Sequence, residues 1–184
     1  MICDTIISVS SFPNDTICIG NITTLDMSFS GPISQLTYNW SPSSSLSCSS
    51  CQNPVAFPTV TTTYMLVVSH YSCPDDTGFI TITVLNPTAS FSGQDSICNG
   101  NSVTLTDNVS GGVSPYTYSW SGGQSTSTIS VVPSSTTAYS VLTTDSFGCA
   151  ATATHTVTVL PNPTVTISGN TTTICSGTSA TLTA

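Results

Sequence analysis

The sequence repeats itself, and the repeat sets the size of the folding unit. The same pattern occurs three times, as DTICIGN from position 15, DSICNGN from position 95 and, more loosely, TTICSGT from position 172. The cysteines of these segments, Cys18, Cys98 and Cys175, are 80 and 77 residues apart. Trp40 and Trp120 recur in the same register. A period of this length predicts tandem copies of one small domain.

The landmarks divide the chain into four parts. They predict an N-terminal segment at 1–11, one repeat at 12–86, a second at 87–162 and a partial third at 163–184, which stops after its second strand. Because two strands cannot bury a sandwich core, we expect a window from a longer array, or ends completed by neighbouring molecules. The proline-rich junctions between repeats favour stiff, extended backbone, so the array is predicted to be a head-to-tail rod.

Apolar residues alternate with polar ones in short runs between turn residues, which is the pattern of half-buried strands. In the second repeat the residues predicted to share the inward face are Val103, Leu105, Tyr116, Tyr118, Trp120, Ile129, Val131, Tyr139, Val141, Val157 and Val159. About seven short strands per repeat, with Trp on the third and a corner-forming Tyr at the start of the sixth, are typical of an immunoglobulin-like sandwich. The predicted fold is all-β, with tandem immunoglobulin-like β-sandwiches.

The charge composition excludes several classes of function. The chain has no Lys and no Arg, and its formal net charge is −8. Without basic side chains a clamp on a nucleic-acid backbone is not expected, nor is lysine- or arginine-dependent catalysis. No apolar run reaches the length of a membrane span, and eight cysteines in so short a chain indicate an oxidising compartment. We therefore expect a secreted, extracellular or cell-surface protein.

Strand directions constrain the disulfides. Cys18 comes before the second strand of its repeat, at the end where the last strand exits, and Cys73 follows the sixth strand, at the opposite end. A strand of about 7 residues spans about 23 Å, whereas bonded cysteines need Cα atoms within about 7 Å. A Cys18–Cys73 bond therefore conflicts with the predicted topology.

In a head-to-tail rod, the exit end of one repeat meets the entry end of the next. This arrangement predicts Cys18–Cys149 across the junction and lets Cys3 reach Cys73. Cys98 and Cys175 are then predicted to bond with cysteines of later repeats or of neighbouring chains. The intra-repeat scheme stays open, because many sandwiches carry internal disulfides.

Cys48 and Cys51 form the only Cys-x-x-Cys pair. A redox motif or half a zinc site would need a thioredoxin-like βαβ pattern or a second pair. The favoured interpretation is a small disulfide that clips the connection after the third strand.

The remaining candidates for chemistry have simpler structural interpretations. His155 falls on the inward phase of the last strand and His70 has no counterpart, so neither predicts a metal or a catalytic triad. Asp75, Asp76 and Asp145 are assigned to turns, with weak calcium binding as the alternative. Trp40 and Trp120 share the core phase, and a sugar platform is the alternative. No catalytic, metal or cofactor site is predicted.

The chain resembles the Ig-like and PKD-like repeats of large secreted Bacteroidota surface proteins, including gliding-motility adhesins. The resemblance rests on the Ile-Cys-x-Gly opening, Tyr-x-Trp-Ser at 38–41 and 118–121, Thr-Thr-x-Tyr, and Phe147-Gly148-Cys149. It covers nearly the whole chain and implies repeats that mostly serve as stalks. Ser72-Cys73 departs from the usual Gly-Cys, and the lack of Lys and Arg is extreme even for this group.

Two glycosylation patterns are present. Asparagine sequons, some of which arise by chance in so Asn/Ser/Thr-rich a chain, occur at Asn14, Asn21, Asn39, Asn108 and Asn170. Asp-Ser/Thr-aliphatic segments, which resemble the O-glycosylation signal of secreted Bacteroidota proteins, mark Thr5, Thr16 and Ser96. The alternative for the second pattern is a turn Asp followed by strand residues.

These observations favour a non-enzymatic structural stalk or filament of the adhesin type, with further copies of the repeat as partners and surface glycans as possible ligands. One alternative is a carbohydrate-binding accessory module of a secreted hydrolase, which would need exposed aromatic residues on one face. Another is a self-assembling fibre subunit whose partial repeat is completed by strand donation.

Overall fold

The alternating apolar residues of both repeats form β-strands. A computed structural model of the chain describes residues 8–10, 15–30, 35–71, 73–165 and 176. Within these ranges no residue lies in a helix, and the predicted all-β fold is confirmed. The predicted segment 1–11 and the partial repeat 163–184 lie mostly outside the described residues, so their interpretation stays a prediction.

The strands form two successive groups, which we call the first and second sandwich. The first contains β1 (Ser8–Ser10), β2 (Asp15–Cys18), β3 (Thr23–Thr24), β4 (Ser28–Ser30), β5 (Thr37–Ser41), β6 (Val55–Ala56), β7 (Thr62–His70) and β8 (Cys73–Leu85). The second contains β9 (Thr88–Ser92), β10 (Ser96–Cys98), β11 (Val103–Ser110), β12 (Thr117–Trp120), β13 (Thr128–Val131), β14 (Thr137–Thr144) and β15 (Ala150–Leu160).

Each sandwich has one four-stranded sheet, in the order β2-β8-β7-β5 in the first and β10-β15-β14-β12 in the second. The opposite layer is formed by the pairs β1-β4 and β3-β6 in the first sandwich and by the sheet β13-β11-β9 in the second. β2 runs parallel to β8, and β10 runs parallel to β15, whereas the other strand pairs are antiparallel. This is the tandem immunoglobulin-like arrangement expected from the sequence.

β2 and β10 differ from the prediction, which placed the Cys18 segment before the second strand of its repeat without giving it a strand of its own. Ile17 and Ile97 explain the difference, because both are buried in the apolar cores. Burying them brings each segment alongside the last strand of its sandwich, where its backbone pairs with an otherwise open sheet edge. The pairing also fixes Cys18 opposite Leu85 and Cys98 opposite Leu160.

The two tryptophans are core residues, as the sequence predicts. Trp40 is 1% exposed and Trp120 is 3% exposed. Their indole N–H groups donate to the carbonyl oxygens of Cys51 and Thr126, at 3.0 and 2.8 Å, so each buried donor is satisfied. The alternative of a tryptophan sugar platform is wrong.

The predicted inward face of the second repeat is confirmed except at Tyr116, which is not part of the apolar cluster and donates its hydroxyl to the carbonyl of Gly111 at 2.7 Å. The fully buried members of this face are Val103, Leu105, Trp120, Ile129, Val141 and Val157, and half-buried members pack around them. The predicted tyrosine corner is wrong in the first sandwich. Tyr64 is completely buried, but its hydroxyl bonds to Ser45 Oγ at 2.5 Å, a side chain of the long connection after β5 instead of nearby backbone.

Candidate functional site at the junction of the two sandwiches

A disulfide joins the two sandwiches. Cys18 ends β2 at the exit end of the first sandwich, which is the end where β8 finishes. Cys149 lies in the turn between β14 and β15, at the entry end of the second sandwich, where β9 begins. The two cysteines are bonded, with Cα atoms 5.2 Å apart and a sequence separation of 131 residues. Cys18 is therefore not bonded to Cys73, and Cys149 is not bonded to Cys98.

Asp145 organises the turn that carries Cys149. The residue is 6% exposed. Oδ1 accepts hydrogen bonds from the backbone N–H groups of Phe147 and Cys149, at 2.9 and 2.8 Å. Oδ2 accepts one from Val113 at 3.0 Å. Because bonds to a charged acceptor are the stronger ones, a single side chain fixes both the turn and the neighbouring loop.

The loop that precedes β12 completes the junction. Gly111 and Gly112 both have a φ of 70°, a conformation that L side chains rarely adopt. A Cβ on Gly111 would lie 2.8 Å from the carbonyl oxygen of Asn86, and one on Gly112 would lie 2.8 Å from Asp145 Oδ2. The linker, the loop and the Cys149 turn are therefore packed closely enough to require glycine at both positions.

The other predicted cysteines are distributed as follows. Cys48 and Cys51 are bonded to each other, with Cα atoms 5.9 Å apart, in the connection between β5 and β6. Cys73 is disulfide-bonded, and its predicted partner, Cys3, lies outside the described residues, as does Cys175. Cys98 is an exposed free thiol.

Two of the three aspartates weighed for calcium, Asp76 and Asp145, accept hydrogen bonds from backbone N–H groups. Asp76 lies on β8, not in a turn as predicted, because β8 already begins at Cys73. Its Oδ2 accepts from the N–H of Val9 and its Oδ1 from the N–H of Thr77, both at 2.8 Å. Asp75 also lies on β8. Among the residues that the structure describes, no group of three or more His, Cys, Asp or Glu could hold a metal ion.

His155 is a partly buried residue with partners, as predicted. Its ring lies against Phe91, with centroids 5.6 Å apart. Its Nε2 is 3.5 Å from Asp95 Oδ1. His70, at the end of β7, lies against Tyr71 with ring centroids 4.5 Å apart.

The glycosylation candidates occupy different environments. Asn21, Asn39, Asn108 and Ser96 are exposed, and Thr16 is half-buried. Asp15 uses both oxygens locally, accepting from the N–H of Thr16 at 2.8 Å and from Thr23 Oγ1 at 2.7 Å. Thr5, Asn14 and Asn170 lie outside the described residues.

The sequence interpretation missed the role of Asp145. It treated this residue as a turn former or weak calcium ligand, since the bond to Val113 spans 32 positions and has no local signal. The Asp145-x-x-Gly148 spacing was the available clue, because Gly148 adopts a φ of 84° and donates to the Asp145 carbonyl at 3.1 Å.

The fold defines a pair of tandem immunoglobulin-like sandwiches, and solved structures agree. No protein-family model matches the chain, and no curated protein matches it either. The chain is similar to the two-domain crystal structure of DIP-gamma IG1+IG2, with 13% identity, a TM-score of 0.52, and coverage of 88% of this chain and 100% of that one.

It is also similar to the N-terminal eight Ig domains of Down Syndrome Cell Adhesion Molecule, with 13% identity and a TM-score of 0.57. That match covers 85% of this chain and 24% of the other. At such low identity the likeness concerns the fold. In the described part of the chain, no helix is long and apolar enough to cross a membrane.

Proposed function

We propose that the chain is a non-enzymatic, adhesion-type surface protein, in which tandem immunoglobulin-like sandwiches form a load-bearing extracellular stalk. The observation that carries the proposal is the Cys18–Cys149 bond between consecutive sandwiches. Eight cysteines in 184 residues support an oxidising, extracellular location. Among the similar structures, the Ig domains of Down Syndrome Cell Adhesion Molecule belong to a protein named for cell adhesion, and this supports the adhesion class.

The bond has a direct mechanical consequence. Force applied to the two chain ends passes through Cys18 and Cys149, because the covalent link is the shorter path. The segment between the two cysteines, which are 131 positions apart, therefore bears no force while the bond is intact. At about 3.5 Å per extended residue, the bond withholds about 450 Å of extension. Such a stalk keeps its length under a pull that would otherwise unravel sandwiches one after another.

Single-molecule stretching of the chain, held at its two ends, tests the proposal. Full reduction is expected to lengthen the extended chain by about 450 Å, from 131 residues at about 3.5 Å each. The variant Cys18→Ser/Cys149→Ser should extend further than the native chain before any reductant is added. Cys48→Ser/Cys51→Ser is the matched control, since it removes a disulfide inside the shielded loop and should behave like the native chain when oxidised.

Equal extension of the native chain with and without reductant would contradict the load-bearing role. The location is tested separately, by labelling intact cells of the source organism with an antibody against the chain. Labelling of intact cells, without permeabilisation, is expected, and signal only after lysis would contradict a surface stalk.

A further inference from the structure

We infer that the exit end of the second sandwich is an open half of a second junction, and that it docks the cysteine-bearing turn between the last two strands of another sandwich of this type. The inference rests on the proposed stalk and names the partner of this end. The half-junction consists of Cys98, Asn99, Gly100 and Leu160.

The half-junction has the same backbone geometry as the occupied one. Cys98 pairs with Leu160 in the parallel β10–β15 ladder, just as Cys18 pairs with Leu85 in β2–β8. In both places the residue after the cysteine donates its backbone N–H to the carbonyl of the leucine. The distance is 3.0 Å from Asn99 to Leu160 and 2.8 Å from Ile19 to Leu85.

The turn beyond the cysteine is also reproduced. Gly100 and Gly20 have φ angles of 89° and 85°. Asn101 N–H donates to the carbonyl of Cys98 at 3.1 Å, and Asn21 N–H donates to that of Cys18 at 3.0 Å. The Cys98 thiol therefore sits on the backbone shape that, in the first sandwich, presents Cys18 to a partner cysteine.

The exit ends of the two sandwiches differ in solvent exposure. Cys18 is half-buried and bonded, whereas Cys98 is an exposed free thiol. Leu85 is half-buried, whereas Leu160 is 47% exposed. Over the residues that the structure describes, the second end is thus the more exposed form of a surface whose occupant is known within the same chain. That occupant is a turn with an exposed aromatic residue close to the cysteine, Phe147 beside Cys149.

The bond forms by thiol–disulfide exchange. The Cys98 thiolate attacks the partner cysteine in its mixed disulfide with glutathione, and reduced glutathione leaves. Over the whole reaction two thiols and one oxidised glutathione give one protein disulfide and two reduced glutathiones. The oxidant is therefore a small-molecule disulfide of the extracellular medium.

The full-length chain with Cys3→Ser/Cys175→Ser tests the inference. Four cysteines are held in the two described disulfides, so this variant leaves Cys73 at the entry end of the first sandwich and Cys98 at the exit end of the second as unpaired thiols. In a glutathione redox buffer we expect disulfide-linked multimers in which Cys98 of one copy is joined to Cys73 of the next.

Peptide mapping of these multimers gives the ratio of Cys98–Cys73 links to the symmetric Cys98–Cys98 and Cys73–Cys73 links, and this ratio tests docking. Two equally reactive thiols without docking would join head to tail and symmetrically in equal amounts. Docking should favour the Cys98–Cys73 link over the Cys98–Cys98 and Cys73–Cys73 links by about tenfold, which corresponds to about 1.4 kcal/mol. Adding Cys98→Ser should abolish the multimers and leave at most a Cys73–Cys73 dimer.

Random link ratios, a Cys98–Cys98 dimer as the main product, or Cys98 found only as its glutathione adduct would overturn the inference. The stretching experiment depends on Cys18–Cys149 alone, so failure here leaves the proposed stalk standing. If reduction did not change the extension of the chain in the stretching experiment, the proposed stalk would be contradicted. The ratio of disulfide links found by peptide mapping would be unaffected.

Discussion

The two sandwiches share their register but differ at one place in the core. In the first, Met27 and Val68 are 2% and 0% exposed and belong to the apolar cluster. In the second, the 80-residue repeat spacing aligns Asp107 with Met27, and the pairings of Tyr38 with Val68 and of Tyr118 with Thr143 align Thr143 with Val68. Asp107 and Thr143 are 5% and 1% exposed. Thr143 Oγ1 donates to Asp107 Oδ2 at 2.5 Å, and Asp107 Oδ1 has no hydrogen-bond partner.

The difference teaches that the fold does not require the polar pair. A buried carboxylate with an unpaired oxygen costs stability that an apolar pair does not. Thr143 lies on β14 two residues before Asp145, where the strand leads into the Cys149 turn, and Asp107 lies on β11. We therefore interpret the pair as a feature that fixes the end of β14 for the junction, at the expense of core stability.

The largest loss of stability is expected when a tryptophan is replaced by alanine, and the two variants test whether the two cores are equivalent. Trp120→Ala should cost about 3–5 kcal/mol, by comparison with other large-to-small core changes. A domain stabilised by about 5–15 kcal/mol would then be close to unfolding. Trp40→Ala should behave alike, since both side chains are buried and donate to a backbone carbonyl.

Urea unfolding followed by far-ultraviolet circular dichroism measures these losses. Fluorescence of the remaining tryptophan reports the stability of the sandwich that carries no substitution and serves as the internal reference. Near-native stability of either variant would show that its tryptophan does not hold the core together.

The Asp107–Thr143 pair gives the sharpest test of the comparison. Thr143→Val removes the donor and leaves the carboxylate unsatisfied, so the free energy of unfolding should fall by about 1–3 kcal/mol. Asp107→Met/Thr143→Val installs the apolar pair of the first sandwich and should be neutral or stabilising relative to the native chain. A double variant less stable than Thr143→Val would contradict this account of the pair.

Asp145 provides the third test, at the junction itself. Asp145→Asn weakens the charge-assisted bonds to Phe147, Cys149 and Val113, and the second sandwich should lose about 1–3 kcal/mol. The Cys18–Cys149 bond should also be reduced at a lower glutathione concentration than in the native chain. Asp95→Asn is the control, since that side chain is 89% exposed; an equal effect of both substitutions would rule out a specific role for Asp145.

The smallest effect is expected at the clip between β5 and β6, which the second sandwich lacks. Cys48→Ser/Cys51→Ser should cost about 2 kcal/mol at most, because the closed loop is very short. Thermal unfolding of the first sandwich measures it. A larger loss would mean that the connection around Trp40 depends on the clip, unlike its counterpart around Trp120.

Local alternation predicted much of the fold. Val103, Leu105 and Trp120 are buried because period-two patterning reports directly on which face of a strand is inward. Asp107 follows Val103 and Leu105 in the same period of two and is buried, but it was not among the residues predicted to face inward. The parallel pairing of β2 with β8 joins segments more than 60 residues apart, and no local signal records it. The contact between Asp145 and Val113 is hidden for the same reason.

The central claim is that consecutive sandwiches are covalently joined, and a peptide map tests it most directly. The unreduced chain is digested with a protease that cuts at aromatic residues, and the cross-linked peptides are identified by mass spectrometry. The account predicts a Cys18 peptide joined to the Cys149 peptide. A Cys18–Cys73 peptide together with a Cys98–Cys149 peptide would contradict it, because those bonds would close each sandwich on itself and leave the junction unlinked.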